Sequence, residues 1–253
     1  MAWAHMMRRE AARLAGRGLD LLCPPRCAVC GADVAAGIPD ACPPGPTTCA
    51  ACRRMLVGPD RCTRCGGSCA AGTCRARAEW DGIVVLGGYG DDLRHAVLRA
   101  KRPGGEPLAA ALGGLCAQRH AATLDAWRID VVVPVPMHWW RRALRGATAA
   151  GAIARGLAAA LGRPCVQGLA RTRHTPLQNR LPYEQRRGNV RGAFRALARM
   201  ADRRVLLVDD VVTTGGTCAA CREALRSVGV GAVFVAAVAR AERDDDPANA
   251  AHG

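Results

Sequence analysis

Thirteen residues near the C-terminus constrain this chain most: Val205-Leu-Leu-Val-Asp-Asp-Val-Val-Thr-Thr-Gly-Gly-Thr217. Four apolar residues with high strand propensity run into two adjacent acids. A hydroxyl- and glycine-rich loop follows and opens onto a helix-forming stretch, residues 218–227. That order predicts strand, acidic turn, loop and helix. Gly215 and Gly216 let backbone N–H groups approach an anion. Thr213, Thr214 and Thr217 add hydroxyl donors, and the helix N-terminus adds its dipole. Asp209 and Asp210 stand at the strand end, where vicinal sugar hydroxyls can donate to them. The combination suits a ribose carrying a 5′-phosphate. The competing phosphate loop, G-x-x-x-x-G-K-[ST], requires a lysine that this stretch lacks.

Strand and helix signals alternate through the rest of the C-terminal two thirds. Residues 82–89, 129–135, 165–169, 205–210 and 231–239 read as strands, and 91–99, 108–127, 147–161 and 217–228 as helices. Residues 171–194 read as a long arginine-rich loop with some helix. Strands separated by helices predict an α/β fold: a parallel sheet with right-handed crossovers and flanking helices. Ligands of such sheets bind beyond the carboxyl ends of the strands, which places Pro134, Val135 and Pro136 beside residues 209–217 around one crevice. The expected organisation is a helical segment at 1–22, a cysteine-rich ribbon at 23–78, the α/β domain at 79–240 and a disordered tail at 241–253.

Ten of the fourteen cysteines fall between Cys23 and Cys74. Cys27/Cys30, Cys49/Cys52 and Cys62/Cys65 are C-x2-C pairs, and Cys69/Cys74 is a looser fourth; these spacings suit tetrahedral zinc. Gly31 and Gly66 follow two of the pairs, allowing the backbone to fold toward bound sulfur. The ribbon is rich in Pro, Gly, Asp and Arg, so one or two structural Zn2+ ions are expected to supply stability that burial does not. Disulfides are disfavoured without a secretion signal. Sequential pairing puts Cys27, Cys30, Cys49 and Cys52 in one site and Cys62, Cys65, Cys69 and Cys74 in the other; crossed pairing fits the spacing equally. Cys218 and Cys221 mimic a redox motif but fall inside the predicted helix, where they read as small packing residues.

The net charge is +15, and Lys101 is the sole lysine among 36 basic residues. Residues 134–200 hold thirteen arginines against one acid, Glu184. Two readings stand: a face for phosphates or nucleic acid, or a solvated face in an arginine-rich composition. Trp139 and Trp140, beside Arg141 and Arg142, are the candidate single-stranded DNA contacts, with packing against the sheet edge as the alternative. No apolar run reaches the ~18 residues of a membrane span. Residues 1–22 carry four arginines and no continuous apolar core, so a docking helix and a cytoplasmic protein are expected.

The motif at residues 205–217 resembles the binding motif of type I phosphoribosyltransferases for phosphoribosyl pyrophosphate (PRPP). Over about residues 19–240 the chain resembles the ComF family, competence-associated relatives of those enzymes. The resemblance rests on Leu21-Leu-Cys-Pro-Pro-Arg-Cys-Ala-Val-Cys-Gly31, Tyr89-Gly90 with Leu93-Arg94, Lys101-Arg-Pro-Gly104, Pro134-Val-Pro-Met137, Arg145-Gly146, and Gln178 with Arg186 and Asn189-Val-Arg-Gly-Ala-Phe194. It implies a type I phosphoribosyltransferase-like sheet preceded by a small zinc ribbon. Asp209 and Asp210 would hold the ribose hydroxyls, directly or through Mg2+. Val211, Val212, Thr213, Thr214, Gly215, Gly216 and Thr217 would form the PRPP and phosphate loop. Lys101, Pro134, Val135, Pro136 and Arg145 would lie on the pyrophosphate side. Gln178, Arg186 and Asn189 would belong to a closing loop, with a purely structural loop as the alternative.

One departure stands out: the family continues Arg-Gly with Phe-Asn-Gln, whereas residues 147–149 here are Ala-Thr-Ala. Enzymes that act on 6-oxopurines carry a carboxylate where Thr213 stands, so hypoxanthine or guanine as acceptor is disfavoured. The resemblance implies PRPP as ligand and a place in DNA uptake, with phosphoribosyl transfer and pyrophosphate release if the protein is catalytic. The rival expectation is a non-catalytic protein that binds single-stranded DNA, or adapts a DNA-uptake helicase or recombination protein, and uses PRPP as a regulator or not at all.

Overall fold

The computed structural model describes residues 25–34, 47–69, 74, 79–137, 148–172, 192–197 and 200–241 of the 253-residue chain. Its elements in chain order are α1 (Ala50–Leu56), β1 (Gly82–Gly88), α2 (Asp91–Ala100), α3 (Glu106–Arg119), α4 (Ala121–Ala126), β2 (Val131–Pro134), α5 (Ala149–Leu161), β3 (Leu169–Arg171), β4 (Phe194–Ala196), β5 (Arg204–Val212), α6 (Gly216–Arg226) and β6 (Ala232–Arg240). Four strands form a parallel sheet in the order β1-β6-β5-β2. β3 and β4 make a separate antiparallel pair.

The runs of valine, leucine and alanine are continuous because the sheet is buried on both faces. Within β5, Leu206 and Val208 point into one core with Val84, Leu86, Phe234 and the inner faces of α2, α3 and α5. Val205 and Leu207 point into the other with Ile83, Val233, Val235 and the Cys218–Cys221–Leu225 face of α6. Both of these α6 cysteines are buried packing residues. Where β5 leaves the core, burial gives way at Asp209 and Asp210.

The structure corrects three expected boundaries. The helix expected at 108–127 is two helices: His120 leaves helical geometry at φ −107°, ψ 24°, and its Nε2 donates to Val85 O at 2.8 Å, tying the break to the sheet. The strand expected at 165–169 reduces to one bridge between Cys165 and Val132, and regular pairing begins only at Leu169. β5 runs two residues beyond Asp210, because Val211 and Val212 still pair with Ala239 and Arg240.

The cysteine-rich segment shares the main core. Cys27, Val29, Cys52 and Leu56 are buried among residues of α2, α3 and the sheet. Its backbone is fastened by Gly58 N–H to Leu86 O (3.1 Å), Ile83 N–H to Thr63 O (2.7 Å), Arg99 Nη1 to Val29 O (2.7 Å) and Arg119 Nη2 to Gly58 O (2.8 Å).

Candidate functional site

A cleft of about 570 Å³ opens at the carboxyl ends of β2 and β5. Asp209, Asp210, Val211, Val212, Thr213, Gly215, Gly216 and Thr217 line it from one side, Val135, Pro136 and Met137 from another, and Lys101 from the end of α2. Buried Pro134 is the last residue of β2, behind the cleft. Thr214 is also buried, and its hydroxyl accepts from Gly216 N–H at 3.3 Å, bracing the loop from inside. Gly215 takes φ +78°, a left-handed conformation that glycine adopts freely, and it caps the N-terminus of α6. Arg145, Gln178, Arg186, Asn189, Trp139, Trp140, Arg141 and Arg142 lie outside the described residues.

The cleft's electrostatics centre on the two acids. Asp210 Oδ1 lies 2.9 Å from Lys101 Nζ. Asp209 accepts the backbone N–H of Asp210 at 2.8 Å. Burial and then the neighbouring Asp210 charge push the Asp209 carboxyl up to about 7, against the opposing pull of that N–H and of Lys101. A cation between the two carboxylates would relieve their repulsion, so the pair suits the Mg2+ that accompanies a diphosphate.

Several contributors were not singled out from the sequence. Leu98, Thr148 and Arg171 line the cleft. Thr148 caps α5 by accepting Gly151 N–H at 3.0 Å. Arg240, the last residue of β6, donates from Nη1 to Thr213 O, and the Trp80 ring edge packs against Gly215. An arginine ending a core strand was the available signal for Arg240. Trp80 had none, because its contact joins residues far apart in the chain.

The cysteines form two sets, Cys27/Cys30/Cys49/Cys52 and Cys62/Cys65/Cys69/Cys74, each with all four sulfurs within 4.8 Å of one another. The sequential pairing is thus the one found. An ion about 2.3 Å from each of four tetrahedral sulfurs requires them about 3.8 Å apart; Cys30 Sγ and Cys49 Sγ are 3.8 Å apart, and Cys65 Sγ and Cys69 Sγ 3.4 Å. Each set could hold one metal ion, and all-sulfur ligation is consistent with zinc. Gly31 and Gly66 both take φ +77°, completing tight turns in which their N–H groups donate to Cys27 O and Cys62 O. Burial opposes ionisation of Cys27, but the backbone N–H groups around it outweigh that and bring the thiol down to about 6. The same balance, led by Arg64 and Cys65 N–H, brings Cys62 to about 7.

The parallel sheet, the acidic pair and the glycine-threonine loop define a phosphoribosyltransferase-type domain, and the phosphoribosyl transferase domain family matches residues 105–251. Competence protein F of Haemophilus influenzae is 31% identical over 181 residues, covering 67% of this chain and 78% of that protein. The DNA utilization protein YhgH of Escherichia coli is 30% identical over 162 residues, covering 62% and 70%. The chain belongs to the ComF family and carries a phosphoribosyltransferase domain. Among solved structures, glutamine PRPP amidotransferase from B. subtilis is similar to it at 27% identity and a TM-score of 0.39, over 56% of this chain and 30% of that one. No helix among the described residues is long and apolar enough to cross a membrane.

Proposed function

We propose that the cleft binds the phosphoribosyl group of Mg2+–PRPP and that the protein works in the uptake or use of DNA. One observation carries the first part: adjacent carboxylates at the end of a core strand lead directly into a loop whose N–H groups and hydroxyls sit at the N-terminus of α6, all in one cleft. In this reading the 5′-phosphate lies against the loop from Thr213 to Thr217, where Gly216 N–H turns from the Thr214 hydroxyl to the phosphate, with the Thr213 and Thr217 hydroxyls beside it and the helix dipole behind. Asp209 and Asp210 accept from the ribose 2- and 3-hydroxyls. Lys101 leaves Asp210 for the diphosphate, beside the turn at Val135 and Pro136. Mg2+ supplies neutralisation of the diphosphate charge. Equilibrium dialysis tests this: PRPP should bind only with Mg2+ and be displaced by ribose 5-phosphate. Retention of PRPP against excess ribose 5-phosphate would place it elsewhere.

The names of the relatives, a competence protein and DNA utilization proteins, support the DNA role. A second reading is direct binding of single-stranded DNA, favoured by the net charge of +15. It requires an affinity that falls steeply with salt. Replacing Arg141 and Arg142 should flatten that slope if they touch phosphates, and an unchanged slope removes them from the interface.

A further inference from the structure

Two side chains run between the second cysteine centre and the phosphate loop. The first is Trp80, just before β1. Its indole Nε1 donates to Arg64 O at 3.0 Å, inside the turn between Cys62 and Cys65. The N–H of the same Arg64 donates to Cys62 Sγ at 3.4 Å. The far edge of the Trp80 ring lies against Gly215: a Cβ there would sit 2.7 Å from Cη2 and 2.9 Å from Cζ3. Trp80 is buried, at 6% exposure, so the ring is enclosed between the cysteine loop and Gly215. The second connector is Arg240. A Cβ on Gly66, the residue after Cys65, would lie 3.6 Å from Arg240 Cδ, and Arg240 Nη1 donates to the carbonyl of Thr213. Trp80 therefore links the Cys62–Cys65 loop directly to Gly215, while Arg240, whose side chain passes the open Gly66 position, holds the other end of the turn at Thr213.

Ile83 N–H donates to Thr63 O at 2.7 Å and fastens that loop to β1. Within the loop Cys62 N–H donates to Gly67 O at 3.0 Å and Gly66 N–H to Cys62 O at 2.7 Å, while Arg64 N–H and Gly67 N–H donate to Cys62 Sγ and Cys65 Sγ at 3.4 and 3.3 Å. An ion held by Cys62, Cys65, Cys69 and Cys74 would add four side-chain restraints and hold the Arg64 carbonyl in place. Without it, the turn that accepts from Trp80 keeps only its backbone bonds.

We infer that Trp80 and Arg240 are positioning residues that couple this cysteine centre to the phosphate loop, so that Zn2+ at the centre and ribose 5-phosphate in the cleft bind cooperatively. The inference rests on the ribose-phosphate reading above and adds its control. Linkage makes the effect reciprocal: metal tightens the sugar phosphate, and the sugar phosphate tightens the metal by the same factor.

The test uses the full chain loaded with Zn2+. Calorimetry measures ribose 5-phosphate affinity in wild type, in Cys74→Ser, which weakens only this centre, and in a Trp80→Phe/Arg240→Met pair, which stays apolar at both positions but removes both donors and the indole edge against Gly215. Equilibrium competition with a chromophoric chelator measures Zn2+ affinity with and without ribose 5-phosphate, on wild type first, so that no variant needs to fold for the reciprocal arm. The expected result is about fivefold or more loss of affinity in Cys74→Ser. Zn2+ should bind wild type more tightly with the ligand present, by the same factor, and this gain should vanish in the Trp80→Phe/Arg240→Met variant although it still carries its metal. Equal ribose 5-phosphate affinity with the centre loaded and depleted, together with a Zn2+ affinity that ignores the ligand, overturns the coupling and leaves the cleft reading intact. No binding of ribose 5-phosphate by fully loaded wild type overturns both.

Discussion

Lys101 Nζ sits 2.9 Å from Asp210 Oδ1 at the edge of the cleft, so the only lysine of the chain is paired with one of two adjacent carboxylates. The pair satisfies Asp210 when no anion is present and leaves Asp209, deeper in, held partly protonated by burial and by its neighbour. A diphosphate offers Lys101 a stronger partner. Under the proposed function, Lys101 exchanges this contact for the diphosphate when ligand binds.

Lys101→Met should separate the two halves of the ligand. Loss of a charge-assisted contact to diphosphate is worth about 1.5–3 kcal/mol, or about tenfold or more in affinity. PRPP binding should weaken by that factor while ribose 5-phosphate binding stays within about threefold. Calorimetry with both ligands checks this, and equal losses for the two would move Lys101 off the diphosphate side.

Asp209 sets a pH dependence with a definite sign. Its ordinary value is 3.8 and the fold raises it to about 7. Between those values the folded chain keeps a proton that the unfolded chain has released. Its stabilising contribution is therefore full below pH 3.8 and lost as pH rises through about 7, with a slope of at most about 1.4 kcal/mol per pH unit. Measured against Asp209→Asn, wild-type Tm should fall between pH 5 and 8. Mg2+–PRPP affinity should rise over the same range, because the cleft then gains its carboxylate. A Tm difference that does not vary with pH would contradict the assignment.

Two zinc equivalents per chain are expected, and their removal should lower Tm strongly, since ribbon and sheet share one core. Metal binding requires the thiolates, so protons compete with the ion and metal should be lost progressively on acidification. Elemental analysis after dialysis at stepped pH follows this directly. A folded chain that never carries metal would remove the structural role.

The crossing of α3 and α5 depends on two missing side chains. A Cβ on Gly113 would lie 2.1 Å from Ile153 O, and one on Gly156 2.0 Å from Ala110 O. Gly156→Val must push the helices apart, at about 1–3 kcal/mol or more. For a chain of this size that lowers Tm by roughly 3–10 °C. An unchanged melting curve would mean that the helices separate at no cost.

Much of the fold was legible because its signals are local. The run from Val205 to Thr217 carries strand, acids, loop and helix start in one stretch, and the alternation of apolar runs with helical segments gave the parallel sheet. The break at His120 was hidden because it depends on a bond to Val85, 35 residues away. The core residues of the ribbon were hidden too: Val29 and Leu56 look isolated among prolines, glycines and arginines until the sheet supplies their partners. Lys101 was marked by the resemblance, but its pairing with Asp210 came only from the coordinates. Arg240 and Trp80 shape the phosphate loop from positions with no motif, through contacts that only the folded chain makes.

The most direct measurement is calorimetric titration of Mg2+–PRPP into wild type and into Asp209→Asn/Asp210→Asn. The account requires a one-to-one binding isotherm for wild type and at least a tenfold weaker one for the double variant, with matching Tm values showing that both are folded. Equal binding by the two, or none by the metal-loaded wild type, would contradict a ribose-phosphate site at the end of β5.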